Sequence, residues 1–398
     1  MPNNKSSLAA RKFMAFIYGL AHFAGMAVRQ PRLFIALFPR KVYSLLPFPD
    51  SIKLRLKSAY LNLPGFLSRI KGGASDYQRR IDAEVATYAA QTSIHELPAI
   101  FHYWTKKHLS PILSEAGIGT IEGFFAGNLQ AASLRTGSRP ARFASIGTGN
   151  CDLEVKVAKE LLRIGCSDFV IECIDINQAM LDRGLELAKQ EGVQDRLKFV
   201  QADFNTWEAE GIYDGVMAHQ SLHHVVGLEH LFAQIHKGLH DQGAFVISDV
   251  IGRNGHQRWP EALAEVHRLW EELPRKYTYN HWFQRFEPLY ENWDSSKSGF
   301  EGIRAQDILP LLLDRFMFEK FVAYGNVTDI FLDRTFGHNF DPEKEWDRDF
   351  IDRAHAVDEE GFKSGRLTPT HLFGVVRKEP VEHPFYSRDL DPRACVHR

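Results

Sequence analysis

Ala141-Arg142-Phe143-Ala144-Ser145-Ile146-Gly147-Thr148-Gly149-Asn150-Cys151 decides the fold. An apolar run ends at Gly147, a Gly-x-Gly turn follows, and an amphipathic helical pattern begins at about Asp152. A strand, a tight turn and a helix in that order bring backbone N–H groups and a helix N-terminus to one edge of a parallel sheet, where a ligand can use them. The turn lacks the third glycine of the dinucleotide fingerprint, with Cys151 or Asp152 where it would fall.

The residues downstream repeat the rhythm. Phe169-Val170-Ile171-Glu172-Cys173-Ile174-Asp175 reads as a buried strand ending in a carboxylate, 26 residues past Gly149. A carboxylate there can accept two hydrogen bonds from a ribose diol, and its plainer role is to cap the next helix. Leu197-Lys198-Phe199-Val200-Gln201-Ala202 is a third strand, followed by Asp203 and Phe204. These offer an acceptor for an exocyclic amine and an aromatic face for a purine, or simply a cap and a core residue. A fourth strand, Tyr213-Asp214-Gly215-Val216-Met217-Ala218, runs into His219-Gln220-Ser221-Leu222-His223-His224. A helix from about Leu228 to Leu239 leads through Gly243 to a fifth, Ala244-Phe245-Val246-Ile247-Ser248-Asp249. Strands alternating with helices give an α/β, doubly wound, mainly parallel sheet with its ligand at the carboxyl edge.

Ser145-Ile146-Gly147-Thr148-Gly149, Cys173-Ile174-Asp175-Ile176-Asn177-Gln178-Ala179-Met180-Leu181, Gln201-Ala202-Asp203-Phe204, Tyr213-Asp214 and Ser221-Leu222-His223-His224-Val225 together resemble the class I S-adenosylmethionine-dependent methyltransferases. The similarity covers about Arg139 to Val250 and resumes at about Gly302. It implies a seven-stranded Rossmann-like sheet with one antiparallel edge and S-adenosyl-L-methionine as cofactor. By resemblance Gly147 and Gly149 face the methionine moiety, Asp175 the ribose, and Asp203 with Phe204 the adenine. Ser145, Ile176 and Gln220 complete the expected cofactor-binding set. The family usually has an acidic residue where Ser145 stands and often a glycine near Cys151.

The chain of 398 residues has a net charge of −2, unevenly spread. Through Ser75 there are twelve Lys/Arg against Asp50 alone, and the remainder carries 36 basic and 49 acidic residues. A nucleic-acid enzyme would carry basic charge on its catalytic domain, so no nucleic-acid partner is expected. Four cysteines without a Cys-x-x-Cys pair read as reduced packing residues. Among 18 histidines none has His-Glu-x-x-His spacing, and His223 and His224 would point to opposite faces if extended, so no metal is expected.

Four segments follow. Residues 1–75 form a basic, apolar arm. Its first 49 residues contain no Asp or Glu, and Phe13 to Val28 carry no formal charge. This suits helices lying on an anionic membrane surface, or an arm packed on the domain or on a homodimer partner. A secretory signal is the third option, disfavoured because the cofactor is cytoplasmic. Residues 76–138 form a helical cap, with breaks expected at Pro98 and Pro111. Residues 139–380 are the cofactor-binding domain, with an insertion at 251–300, and 381–398 are a peripheral tail. Strands at Phe318–Tyr324 and His371–Val376 are expected to close the sheet.

Methyl transfer from a sulfonium needs alignment, exclusion of water, and a base if the acceptor is a hydroxyl. His219 and His256 are the candidate bases, with His223 and His224 read as scaffold. Arg253, Arg258 and Glu261, beside Trp259, suit a polar acceptor; the alternative is a lid with Trp259 and Trp270 as its core. The leading expectation is O-methylation of a sugar or related small molecule. A membrane-associated enzyme for a lipid-borne or isoprenoid acceptor, a non-catalytic cofactor-binding partner and a nicotinamide dehydrogenase are the alternatives. The expected location is the cytoplasm, at the membrane surface if the arm binds lipid.

Overall fold

The computed structural model describes residues 77–78, 80–82, 97–297 and 299–397, all within the compact unit Tyr77–Arg398. The expectations for the arm, and for the cap between 83 and 96, lie outside the described residues. The helices used below are α1 (Ala99–Trp104), α2 (Ser110–Glu115), α3 (Ile121–Thr136), α4 (Asp152–Arg163), α5 (Gln178–Gln190), α6 (Leu228–Gly238), α7 (Pro260–Glu271), α8 (Ala305–Arg315), α9 (Asp329–Leu332) and α10 (Glu345–Ser364). No helix among the described residues is long and apolar enough to cross a membrane.

β1 (Ala141–Ile146), β2 (Phe169–Asp175), β3 (Leu197–Gln201), β4 (Tyr213–His219) and β5 (Leu239–Val250) are parallel neighbours in the order β3-β2-β1-β4-β5. The insertion adds a separate hairpin, β6 (Tyr279–Asn280) and β7 (Arg285–Phe286). β8 (Met317–Tyr324) and β9 (His371–Arg377) extend the main sheet, β9 lying antiparallel between β5 and β8. β10 (Phe385–Tyr386) pairs parallel to β8 and makes an eighth strand. The antiparallel strand is therefore internal to the sheet, and residues expected in a peripheral tail form its edge.

β1 shows why the sheet is buried on both faces. Ala141 and Phe143 pack with Phe125 and Leu129 of α3, Val155 and Leu161 of α4, and Leu181 of α5. Ala144 and Ile146 point the other way, toward Leu231 and Phe232 of α6 and Ile308 and Leu312 of α8. Successive strand residues alternate faces, so two apolar sets demand two helical layers. A third core joins α1, α7, α9 and α10 around Trp104, Trp270, Phe331 and Phe350. Trp270 thus belongs to a core, as a structural lid would require.

Pro111 does not break the cap. A wide turn at Thr105–Leu109 precedes it, and α2 continues from Ser110 with the proline in its first turn. Proline is tolerated there because that N–H lacks a helical partner anyway. Thr120 caps α3 by accepting from the N–H of Gly123 at 3.1 Å, and Gly137 ends it in the left-handed conformation. α3 then lies against β4 and β5, so the cap reaches the strand that carries His219.

Candidate active site

The turn after β1 is built by three left-handed residues, Gly147 (φ +73°), Gly149 (φ +54°) and Cys151 (φ +58°). Gly147 and Thr148 donate to Ile174 O at 2.9 and 3.3 Å, which ties the turn to β2. A Cβ on Gly147 would lie 2.4 Å from Ser221 Cβ and 3.7 Å from Phe204 Cζ. Ser221 is itself fixed, its hydroxyl donating to Ile146 O at 2.6 Å. Gly147→Ala is therefore expected to cost about 1–3 kcal/mol from overpacking and backbone strain. Ser221→Gly should restore part of it, read as urea midpoints of the two single variants and the double. Cys151 stands where a third glycine would allow close packing, and Gly184 of α5 supplies the room instead: a Cβ there would lie 2.8 Å from Cys151 Sγ.

Ser145 is buried at the end of β1 and donates to Glu154 Oε1 of α4 at 2.7 Å. An acidic group thus reaches this point from the helix and not from the strand. Burial raises the Glu154 pKa to about 7, against the Ser145 hydrogen bond, and Oε2 has no hydrogen-bond partner among the described residues. A folded pKa above the unfolded one means the native state holds the proton more tightly. This group's contribution is therefore fully present below about pH 4.3 and lost as pH rises toward 7. Glu154→Gln is expected to flatten that slope by up to about 3 kcal/mol, measured as unfolding free energy at pH 5 and pH 8.

Asp175 Oδ2 accepts from Gly149 N at 2.8 Å and Oδ1 from Asn177 N at 2.8 Å. Burial raises its pKa, opposed by these amides. The cap of α5 is Asn177, whose side chain accepts from Ala179 N at 3.1 Å. Asp175 therefore braces the glycine turn from the end of β2. The half-buried Ile176 follows it, its carbonyl held by Gln201 Nε2 at 3.1 Å. Asp203 is more occupied than its sequence context suggests. Both its oxygens lie 2.9 Å from the Tyr77 hydroxyl, and Oδ1 also accepts from Asn205 N and Nδ2 at 2.9 and 2.8 Å. An adenine amine would have to share or displace Tyr77, 126 residues away in sequence. Phe204 is half-buried with its ring near Gly147.

His219 ends β4, opposite Ser248 of β5. Its ring meets Phe125 of α3 edge-on at 5.9 Å, and Nδ1 is buried without a hydrogen-bond partner among the described residues. Burial lowers its pKa despite the Asp249 charge. The next residue, Gln220, is exposed and left-handed (φ +50°). After it the chain turns in a 3-10 segment, Leu222–His224, so His223 and His224 are not extended. Their rings lie 4.4 Å apart, and both reach Glu301: His223 Nε2 at 3.3 Å from Oε1, His224 Nε2 at 3.4 Å from Oε2. His256 Nε2 lies 2.5 Å from Glu301 Oε1. The premise that set these adjacent histidines on opposite faces fails at this turn.

Behind them stands Asp249, fully buried, accepting from His223 Nδ1 (2.6 Å), Ser221 N (2.9 Å), Leu222 N (2.8 Å) and Val250 N (2.8 Å). Burial opposes a charged His223, but Asp249 and then Glu301 outweigh it and push its pKa up to about 10. Burial also opposes ionised Glu301, yet His223, His256 and His224 hold it well below the usual carboxylate range. Asp249 and Glu301 were the residues that sequence reasoning passed over. The only signal was Asp249 at the carboxyl end of a strand; Glu301, 45 residues past His256, gave none.

Arg258 is buried, with Nε on Asn326 O (2.9 Å), Nη1 on His256 O (2.9 Å) and Nη2 3.4 Å from Asp329 Oδ2. These contacts hold the loop that carries His256. Arg253 donates to Arg258 O at 3.1 Å and covers the Trp259 ring at 5.3 Å. Trp259 stacks on His397 at 3.8 Å, and His397 Nε2 lies 2.7 Å from Glu261 Oε1. The three residues expected to bind an acceptor thus brace the loop around the histidine cluster.

A family model described as a methyltransferase domain matches residues 142–300. Residues 142–300 are thus a methyltransferase domain. No curated protein matches the chain in sequence. Similar solved structures include geranyl diphosphate C-methyltransferase from Streptomyces coelicolor A3(2), in complex with Mg2+, geranyl diphosphate and S-adenosyl-L-homocysteine. It is 10% identical, with a TM-score of 0.40, over 75% of this chain and 98% of that one. A geranyl diphosphate methyltransferase in complex with SAM is 11% identical, with a TM-score of 0.36, over 64% and 85%. An S-adenosylmethionine-dependent methyltransferase from Clostridium acetobutylicum is 13% identical, with a TM-score of 0.28, over 38% and 63%. Likeness at this level assigns no acceptor to this chain.

Proposed function

We propose that the enzyme transfers a methyl group from S-adenosyl-L-methionine to a hydroxyl of a small polar molecule, a sugar or related metabolite, with His219 as the base. One observation carries this reading. His219, His223, His256 and Glu301 gather at the carboxyl edge of β4 and β5, and Ser221 links that cluster to Gly147. A methyl group held over the glycine turn would face this edge. Among the histidines, His223 is held as a cation by Asp249 and Glu301, whereas burial keeps His219 neutral and able to accept a proton. Gly147, Gly149, Asp175, Phe204 and Gln220 line the cofactor side in this reading, with Ser145 and Ile176 behind them. Arg253, Arg258 and Glu261 position the His256 loop. The test is a screen of metabolite and glycan extracts for transfer of labelled methyl. Transfer to oxygen of a polar acceptor is expected, and transfer only to carbon or nitrogen would overturn it.

A second reading, a lipid-borne acceptor met at a membrane surface, is favoured by one other feature. The hairpin segment exposes Trp282 (75%), Phe286 (44%), Leu289 (50%) and Trp293 (46%), with Arg275, Arg285 and Lys297 over its rings. Indoles with flanking cations suit an anionic interface. Flotation with anionic liposomes, weakened by salt and by Trp282→Ala with Trp293→Ala, is the expected result under this reading. No flotation of the full chain would remove it.

A further inference from the structure

We propose that His223, His256 and Glu301 hold a divalent transition-metal ion of the zinc type at the acceptor end of the site. The proposal rests on the reading of this edge as the acceptor pocket. One nitrogen of each histidine and one oxygen of Glu301 all lie within 4.8 Å of one another. Ligands at about 2.1 Å around a tetrahedral ion stand roughly 3.4 Å apart. His223 Nε2 and Glu301 Oε1, at 3.3 Å, already have that spacing. His256 Nε2, at 2.5 Å from the same oxygen, has to open by roughly 1 Å, and its half-exposed ring leaves room for that.

The surroundings are those a metal-binding histidine needs. Nδ1 of His223 faces the Asp249 carboxylate at 2.6 Å, which fixes the ring and turns Nε2 toward Glu301. Asp249 is held in turn by three backbone N–H groups, so the orientation is set before any ion arrives. A dication would offer the two carboxylates more than the proton on His223 does. Two imidazoles and one carboxylate favour zinc and its neighbours over magnesium, which prefers an all-oxygen shell. Three protein ligands leave one position open for an oxygen of the acceptor. A coordinated hydroxyl loses its proton more readily, here to His219. The oxygen then forms the new bond to the methyl carbon while the carbon–sulfur bond breaks and its electron pair returns to sulfur. The competing role for the cluster is an ion-paired brace between the His256 loop and the segment at Gly302, whose carbonyl accepts from Gly255 N at 2.8 Å.

The full chain, freed of metal with a chelator, is titrated with Co2+ as a spectroscopic probe and with Zn2+ by calorimetry. One Co2+ per chain, with the visible absorption of a four- or five-coordinate site and displacement by Zn2+, is expected. His256→Gln and Glu301→Gln should each weaken Zn2+ binding at least roughly 100-fold. Asp249→Asn, one shell out, should weaken it about 10–100-fold. Identical titrations of the parent chain and both ligand variants, or no Co2+ band, would overturn the proposal. Binding of S-adenosylhomocysteine in the same samples keeps the two readings apart. Its presence without metal binding sinks the metal site alone, and its absence from the parent chain sinks the methyltransferase reading of the pocket.

Discussion

Turnover is expected to fall by about 10²–10⁴-fold when His219 is replaced by alanine, with S-adenosylhomocysteine binding intact. The magnitude is that of removing a positioned proton acceptor, and the geometry explains why binding should survive. His219 touches Phe125 and stands opposite Ser248, and it takes no part in the hydrogen bonds that tie Gly147, Thr148 and Gly149 to Ile174 and Asp175. Because burial lowers its pKa, the catalytic form persists to lower pH than for an exposed histidine. The acidic limb of a turnover–pH profile should accordingly lie below about 6.5, and it should vanish in His219→Ala. His219→Gln separates the roles, because it fills the space against Phe125 without accepting a proton at neutral pH. If both variants turn over at the parent rate, the base is elsewhere. If alanine fails and glutamine does not, His219 packs and does not catalyse.

Asp249→Ala is expected to destabilise the fold by about 3–5 kcal/mol, the cost of removing one member of a buried charged pair. The change strips the acceptor from three backbone N–H groups and leaves the His223 cation with Glu301 alone. Asp249→Asn keeps an acceptor for some of those amides and should lose less. Urea unfolding followed by circular dichroism gives both numbers, and a loss under about 1 kcal/mol for alanine would mean that the turn is held by Ser221 and Leu222 packing instead. Since Ser221 also seats Gly147, Asp249→Ala should weaken cofactor binding as well, which His219→Ala should not.

The sheet was legible because its signals are local. The apolar runs of β1, β2, β4 and β5 each fit inside one window of sequence, and β2 begins and ends where expected. β10 was not, because two residues paired to β8 carry no periodicity of their own. The site divides in the same way. Gly147, Gly149 and Asp175 sit at strand ends, so their meeting in one turn follows from spacing. Tyr77 on Asp203 and Glu301 on three histidines are contacts across 126 and 45 or more residues, made by tertiary packing that no window contains. His223 and His224 were misjudged for a simpler reason. An extended backbone separates adjacent side chains, whereas a 3-10 turn brings both rings to one carboxylate.

His397 stacks on Trp259 and pairs with Glu261, while Cys395 is buried beside it in sequence. The turn around His397 is thus a wedge behind the loop that aims His256. A protease cut near Asp391 would bear on that loop without touching any residue of the pocket. Preparations cut and uncut near Asp391 should therefore be compared for activity before a sluggish sample is blamed on the wrong acceptor.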